Sequence, residues 1–189
     1  MDGFTKRTET KRRAILDAAI RLMAVKQSRF TVSELARAAS VSPVSIYNYF
    51  GSKEQVIIAV LTEMTEEQMG WIESQIADHV PFDQLLIEIL SRKIETAGLF
   101  DETITTMIQA DASWQQLAGR GYAAFRQLIE YGKTSGAIDP ELSTDSYLRY
   151  VQLVQQAILS DPSLSTSPMT DSMQDYFRFF LHGIIRKHN

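Results

Sequence analysis

The sequence predicts an all-α protein of about nine helices, and three observations carry that expectation. Apolar residues recur at the three- and four-residue intervals of a helix face through most of the chain. Segment starts carry Ser, Thr or Pro, the residues that cap a first turn or tolerate its missing N–H partner. No stretch alternates apolar and polar residues between hairpin signals, as a half-exposed strand does.

From Thr10 onward, Ile15, Ala18, Ala19, Leu22 and Met23 share one face, which predicts a first helix of about 16 residues ending near Gln27-Ser28. Thr31 stands three residues before Glu34, a capping box that opens a short second helix with Val32, Leu35, Ala36, Ala38 and Ala39 as its apolar positions. Ser42 and Pro43 then supply the cap and first position of a third helix, closed by Gly51. Ile46 and Phe50 form its inward stripe with Tyr47 beside it, leaving Val44, Ser45, Asn48 and Tyr49 on the rest of its surface. Ser52 and Gln55 repeat the capping-box spacing and start a long fourth helix from Lys53 towards Ala77, which Pro81 ends. Further helices are predicted over 82–97, 102–109, 113–133, 144–159 and 170–187, the last two separated by a Ser- and Pro-rich stretch. A division after residue 52 follows, with a three-helix module over 1–52 and a helical body over 53–189.

The net charge of −4 conceals an asymmetry. Residues 1–53 hold ten Lys and Arg against four Asp and Glu, whereas the remainder holds nine against nineteen. A compact basic end attracts a polyphosphate by releasing its condensed counterions, and an acidic body is repelled from it. Charge runs are commonly nothing more than solvated helix surface, so the charge alone decides nothing. The absence of cysteine excludes disulfides, thiolate nucleophiles and Cys-ligated zinc. The basic N-terminus lacks the apolar run of a signal peptide, and the longest apolar run, Val56 to Leu61, is far too short for a bilayer span; a cytoplasmic location is expected.

Two short helices joined by a tight turn make a helix-turn-helix, whose second helix can enter the major groove of DNA. Its amino-terminal N–H groups and dipole favour phosphate, and side chains on its leading turns reach base edges. The residues that form it, Thr31-Val32-Ser33-Glu34-Leu35-Ala36 followed by Val41-Ser42-Pro43-Val44-Ser45-Ile46-Tyr47-Asn48-Tyr49-Phe50-Gly51-Ser52-Lys53-Glu54, resemble the TetR family of repressors. The resemblance covers about the first quarter of the chain.

It implies that Ser42, Pro43, Val44, Ser45, Asn48 and Tyr49 face the groove, and that Thr31, Tyr47 and Lys53 meet phosphates. Tyr47 has an alternative as a core aromatic, and Lys53 as a bare helix-start charge, although a cation there is unfavourable without an anion near it. The sequence departs from the family pattern at Ser40 and Ser28, turn positions often held by glycine.

The resemblance further implies a C-terminal ligand-binding and dimerisation domain, a homodimer on a palindromic operator, and a small-molecule effector. It assigns no residues to these tasks. Broad apolar stripes suggest pairing through Tyr147, Val151, Val154 and Ile158 with Phe177, Phe180, Leu181 and Ile184. A cavity is expected among Met64, Trp71, Leu86, Leu90, Met107, Trp114, Tyr122, Phe125 and Gln152, although such residues also serve as plain core. No cofactor or metal is expected, since His79, His182 and His188 are too scattered for zinc spacing. An enzyme built on carboxylates such as Glu88, Asp101 or Asp111 lacks every familiar catalytic motif.

Overall fold

A computed structural model of the chain describes the backbone from Gly3 to Ser160 and the side chains from Arg7 to Leu153, apart from those of Ile94 and Ala97. The helix expected over 170–187, and the side chains of Val154, Ile158, Phe177, Phe180, Leu181 and Ile184, lie outside the described residues.

Eight α-helices and one 3-10 turn account for the described chain: α1 (Gly3–Lys26), the turn Gln27–Arg29, α2 (Val32–Ala38), α3 (Pro43–Phe50), α4 (Lys53–Ala77), α5 (Phe82–Ala97), α6 (Glu102–Ala110), α7 (Ala112–Thr134) and α8 (Thr144–Ser160). Most boundaries fall within a residue of the expectation, because caps and Pro81 define them. The start of α1 does not: it begins at Gly3 instead of Thr10. Arg7, Glu9, Lys11 and Arg12 are straight-chain residues that propagate a helix well, so the apolar stripe marks the turns that are buried and not the limit of the helix.

Asp111 alone separates α6 from α7, with extended backbone at φ −88° and ψ 121°. Its Oδ1 accepts a hydrogen bond from the Trp114 N–H at 3.0 Å, capping α7, just as Asp101 Oδ1 caps α6 through the Ile104 N–H at 2.8 Å. Two of the three carboxylates considered for catalysis are therefore helix caps.

The helices pack as two compact units. The first holds residues up to Glu67 together with Thr96–Ala118. Its core joins Ile15, Leu16, Ala19 and Met23 of α1 to Leu35 of α2, Ile46 of α3, Ile57 and Leu61 of α4, and Leu99 and Ile104. α6 and the start of α7 thus belong, by packing, with the N-terminal helices. The second unit holds Gln68–Glu95 and the described residues from Gly119 onward, around Phe82, Leu85, Leu128, Ile129, Ile138 and Leu148. Gly132 lies inside α7, where a side chain would have no room: an added Cβ would meet Ile138 Cδ1 and Phe82 Cε2, each at 2.7 Å. Among the described residues no helix is long and apolar enough to cross a membrane.

Candidate nucleic-acid interface

α2 and α3 owe their short, defined lengths to their caps. The Thr31 hydroxyl accepts the Glu34 N–H at 3.2 Å, and the Glu34 carboxylate accepts the Thr31 N–H at 2.8 Å, completing the expected capping box. Lys26 also pairs with Glu34. The Lys26 ammonium, followed by the Thr31 N–H, holds the Glu34 carboxyl at a pKa of about 2, so the α2 cap stays charged far into acid. The Thr31 hydroxyl in turn donates to Glu34 Oε2 at 3.2 Å, so its proton is already engaged within the protein.

Beyond α2 the chain turns through a Schellman motif: the Ser40 N–H donates to the Arg37 carbonyl at 3.2 Å and the Val41 N–H to the Ala36 carbonyl at 3.0 Å. Ser40 sits in the left-handed region at φ +55°. Glycine adopts that conformation without the Cβ clash, so Ser40→Gly is expected to raise stability by up to about 1 kcal/mol. Urea titration measures it, and a lowered midpoint would show that the serine side chain contributes more than its strain removes. At the preceding turn the left-handed residue is Gln27, at φ +54°, and not Ser28.

α3 opens as expected, with the Ser42 hydroxyl accepting the Ser45 N–H at 3.2 Å and Pro43 at the first position. The Ser42 and Ser45 hydroxyls are themselves 2.9 Å apart, within hydrogen-bond range. Ile46 is fully buried, and Phe50 and Tyr49 pack partly against the core. The inward face is thus 46, 49 and 50, one residue of the expected outer face having turned in: Tyr49 follows Ile46 by three positions and so shares its side of the helix. Tyr47 goes the other way. It is 53% exposed and Val44 64% exposed, with Ser42, Pro43 and Asn48 also on the surface. The core-aromatic alternative for Tyr47 is therefore set aside.

Cations lie on the surface of α1 and α2. Arg7, Lys11, Arg12, Arg21 and Arg37 are exposed, and the Arg12 guanidinium lies 5.2 Å from the Phe50 ring centroid at the end of α3. Arg13 is spent on Asp17 and Glu63, at 2.8 and 3.0 Å. Lys53, at the first turn of α4, donates to the carbonyls of Ser28 at 2.9 Å and Phe30 at 3.3 Å, and its ammonium lies 5.5 Å from the Phe30 ring centroid. These carbonyls and the ring supply the negative partner that the sequence could only seek in a phosphate. The second capping box is only half formed: the Gln55 N–H donates to the Ser52 hydroxyl at 3.1 Å, but the Gln55 side chain reaches Asp111 Oδ2 instead, at 3.4 Å.

Residues 15–60 match the family described as bacterial regulatory proteins, tetR family. The helix-turn-helix segment of this chain is thus similar to that family's DNA-binding module. The HTH-type transcriptional regulator BetI of Rhizobium meliloti (strain 1021) is 44% identical over 55 residues, a match that spans 29% of this chain and 27% of that relative's length. The BetI of Brucella canis is 28% identical over 99 residues, 52% of this chain and 50% of its own length. The chain thus spans about half or less of the curated relatives it matches. A transcriptional regulator from Saccharomonospora viridis, solved in complex with choline, superimposes with a TM-score of 0.68 at 16% identity, covering 93% of this chain and 98% of that one. The two chains therefore share a fold well beyond the reach of sequence similarity.

The residues expected to line one cavity divide between the two units. Met64, Met107 and Trp114 pack against the first core. Trp71, Leu86, Leu90 and Phe125 belong to the second. Tyr122 is 41% exposed and Gln152 is also on the surface. A cleft in the first unit, lined by Arg12, Gln55, Ile58, Thr62 and Glu63 among others, includes none of them. On α8, Tyr147 is buried and Val151 packs against the second core, whereas Tyr150 and Leu153 are exposed.

Proposed function

We propose that this protein is a homodimeric transcriptional repressor that binds a short palindromic operator through α3 and is released from it by a small ligand. The observation that carries the reading is the outward presentation of Val44, Tyr47 and Asn48 on a capped helix, with Arg12 stacked at the same helix's end. Ser42, Pro43, Val44, Ser45 and Asn48 read or line the groove, Tyr49, turned partly inward, supports the helix from behind, and Thr31, Tyr47 and Lys53 stand towards the backbone. One such helix reads only a few base pairs, so two copies related by a two-fold axis supply the specificity of a palindrome. The exposed Tyr150 and Leu153 of α8 offer apolar surface for pairing, alongside the expected residues further on in the chain.

The effector site is proposed in the second unit, around Trp71, Leu90 and Phe125. Trp71 already carries a cation on its face, the Arg92 guanidinium 4.0 Å from the ring centroid. Choline, held by the Saccharomonospora viridis regulator, is accordingly the first compound to titrate. A ligand acts only if it favours the non-binding geometry, and α4, one helix with residues in both units, is the element that would carry the change.

Footprinting of the protein on the DNA upstream of its own gene tests the reading. A protected site with two-fold symmetry is the expected result. Protection without sequence preference would overturn it, and an operator complex that no small molecule releases would point to control by a protein partner.

A further inference from the structure

The turn between α1 and α2 is gripped from two directions, and Ser28 is where the grips meet. Ser28 is buried, and both its N–H and its hydroxyl donate to Asp101 Oδ2, at 3.0 and 2.6 Å. The other oxygen of that carboxylate caps α6 through the Ile104 N–H at 2.8 Å. Gln27 reinforces the connection, its side-chain amide donating to the carbonyls of Gly98 at 3.3 Å and Phe100 at 3.1 Å. From the opposite side the Ser28 carbonyl accepts the Lys53 ammonium at the start of α4. One residue thus links the first turns of α6 and α4, three positions before Thr31 caps α2.

Three features make this more than ordinary packing. Hydrogen bonds to an ionised carboxylate are about twice as strong as neutral ones, and here two donors share one oxygen. Partial burial opposes ionisation of Asp101, but the hydrogen bonds from Ser28 and Ile104 outweigh it and hold the carboxyl below its usual range. Gln27 is held in the left-handed region, a conformation a non-glycine residue keeps only where its surroundings over-determine it. The turn therefore has little freedom while Asp101 stays in place and loses its main restraint when α6 shifts.

We propose that the Asp101–Ser28 pair is the joint through which the start of α6 sets the placement of α2 and Lys53, and with it the affinity for DNA. Asp101 is a positioning residue: it touches no nucleic acid and acts through Ser28. The inference rests on the DNA-binding reading above for its functional consequence, but not for the mechanical one. Linkage makes the effect reciprocal, so operator binding tightens the joint.

The test uses the full chain. Ser28→Ala removes the hydroxyl and leaves the α6 cap untouched; Asp101→Asn keeps the shape but replaces one acceptor oxygen by a donor. Both variants are expected to bind the footprinted operator about tenfold more weakly. The slope of log affinity against log salt should stay unchanged, since no phosphate contact is removed. Amide hydrogen exchange over residues 28–35 should quicken in both, while that of α8 does not. Unchanged affinity and unchanged exchange over 28–35, with or without a fall in melting temperature, would reduce the pair to a structural contact and overturn the proposal. Should the wild-type chain bind no duplex at all, the DNA reading fails by itself; the exchange measurement still decides the joint, because it needs no DNA.

Discussion

Asn48→Ala is expected to weaken binding to the native operator by about 1–3 kcal/mol while leaving binding to unrelated DNA nearly unchanged. Asn48 is exposed on α3 and its amide offers one donor and one acceptor, the pair that distinguishes an adenine edge in the major groove. Titrating wild type and variant against the operator and a set of single-base substitutions measures this. Equal losses on every sequence would remove Asn48 from base reading. Lys53→Ala provides the contrast. It should weaken all DNA alike, and the salt slope then separates its two roles: loss of a phosphate contact lowers the slope by about 0.9, whereas loosening the Ser28 and Phe30 carbonyls leaves it unchanged.

Gly132→Ala is the stability counterpart. In an open helix the change would stabilise by about 1 kcal/mol, because alanine restricts the unfolded chain more than glycine does. Here the new methyl would stand 2.7 Å from Ile138 Cδ1 and from the Phe82 ring, and both of those side chains are buried. Overpacking of this kind costs about 1–3 kcal/mol, so the steric effect wins and the denaturation midpoint should fall. Phe82→Leu in the Gly132→Ala background removes the ring atoms that clash, and the pair should recover part of the loss in a double-mutant cycle. A raised midpoint in Gly132→Ala alone would mean that the ring and Ile138 move aside without penalty.

Local chemistry was legible because caps, proline and helix period act within a few residues of one another. Thr31 with Glu34 and Ser42 with Pro43 marked the starts of α2 and α3, and Pro81 the start of α5, to within a residue. The left-handed Ser40 was legible for the same reason, as a serine where a turn favours glycine. The start of α1 was not, since the first turns of that helix carry no apolar stripe. Tyr49 and Tyr47 exchanged faces because Ile46 and Phe50, four residues apart, fix the inward stripe of a short helix but leave open which neighbouring position flanks it until its partners pack.

The candidate interface was therefore readable as a list of residues, and its supports were not. Asp101 stood out in the sequence only as one carboxylate of an unsupported enzyme reading, and no local signal joins it to Ser28, 73 residues away. Gln55 fits a capping box by spacing, yet its amide finds Asp111, 56 residues on. The division of Met64, Met107 and Trp114 from Trp71, Leu90 and Phe125 depends on which helices share a core, and periodicity is silent about that.

Neighbours along the chain are enough to give most helix ends, though not the start of α1, as well as the short, capped character of α3 and the gathering of basic charge at one end. Which face of α3 is free, what holds Lys53, and the packing of α6 with the N-terminal helices emerge only from the assembled core. Those outcomes depend on contacts between segments far apart in the chain, whose competition for buried surface and hydrogen-bond partners is settled when the whole unit packs.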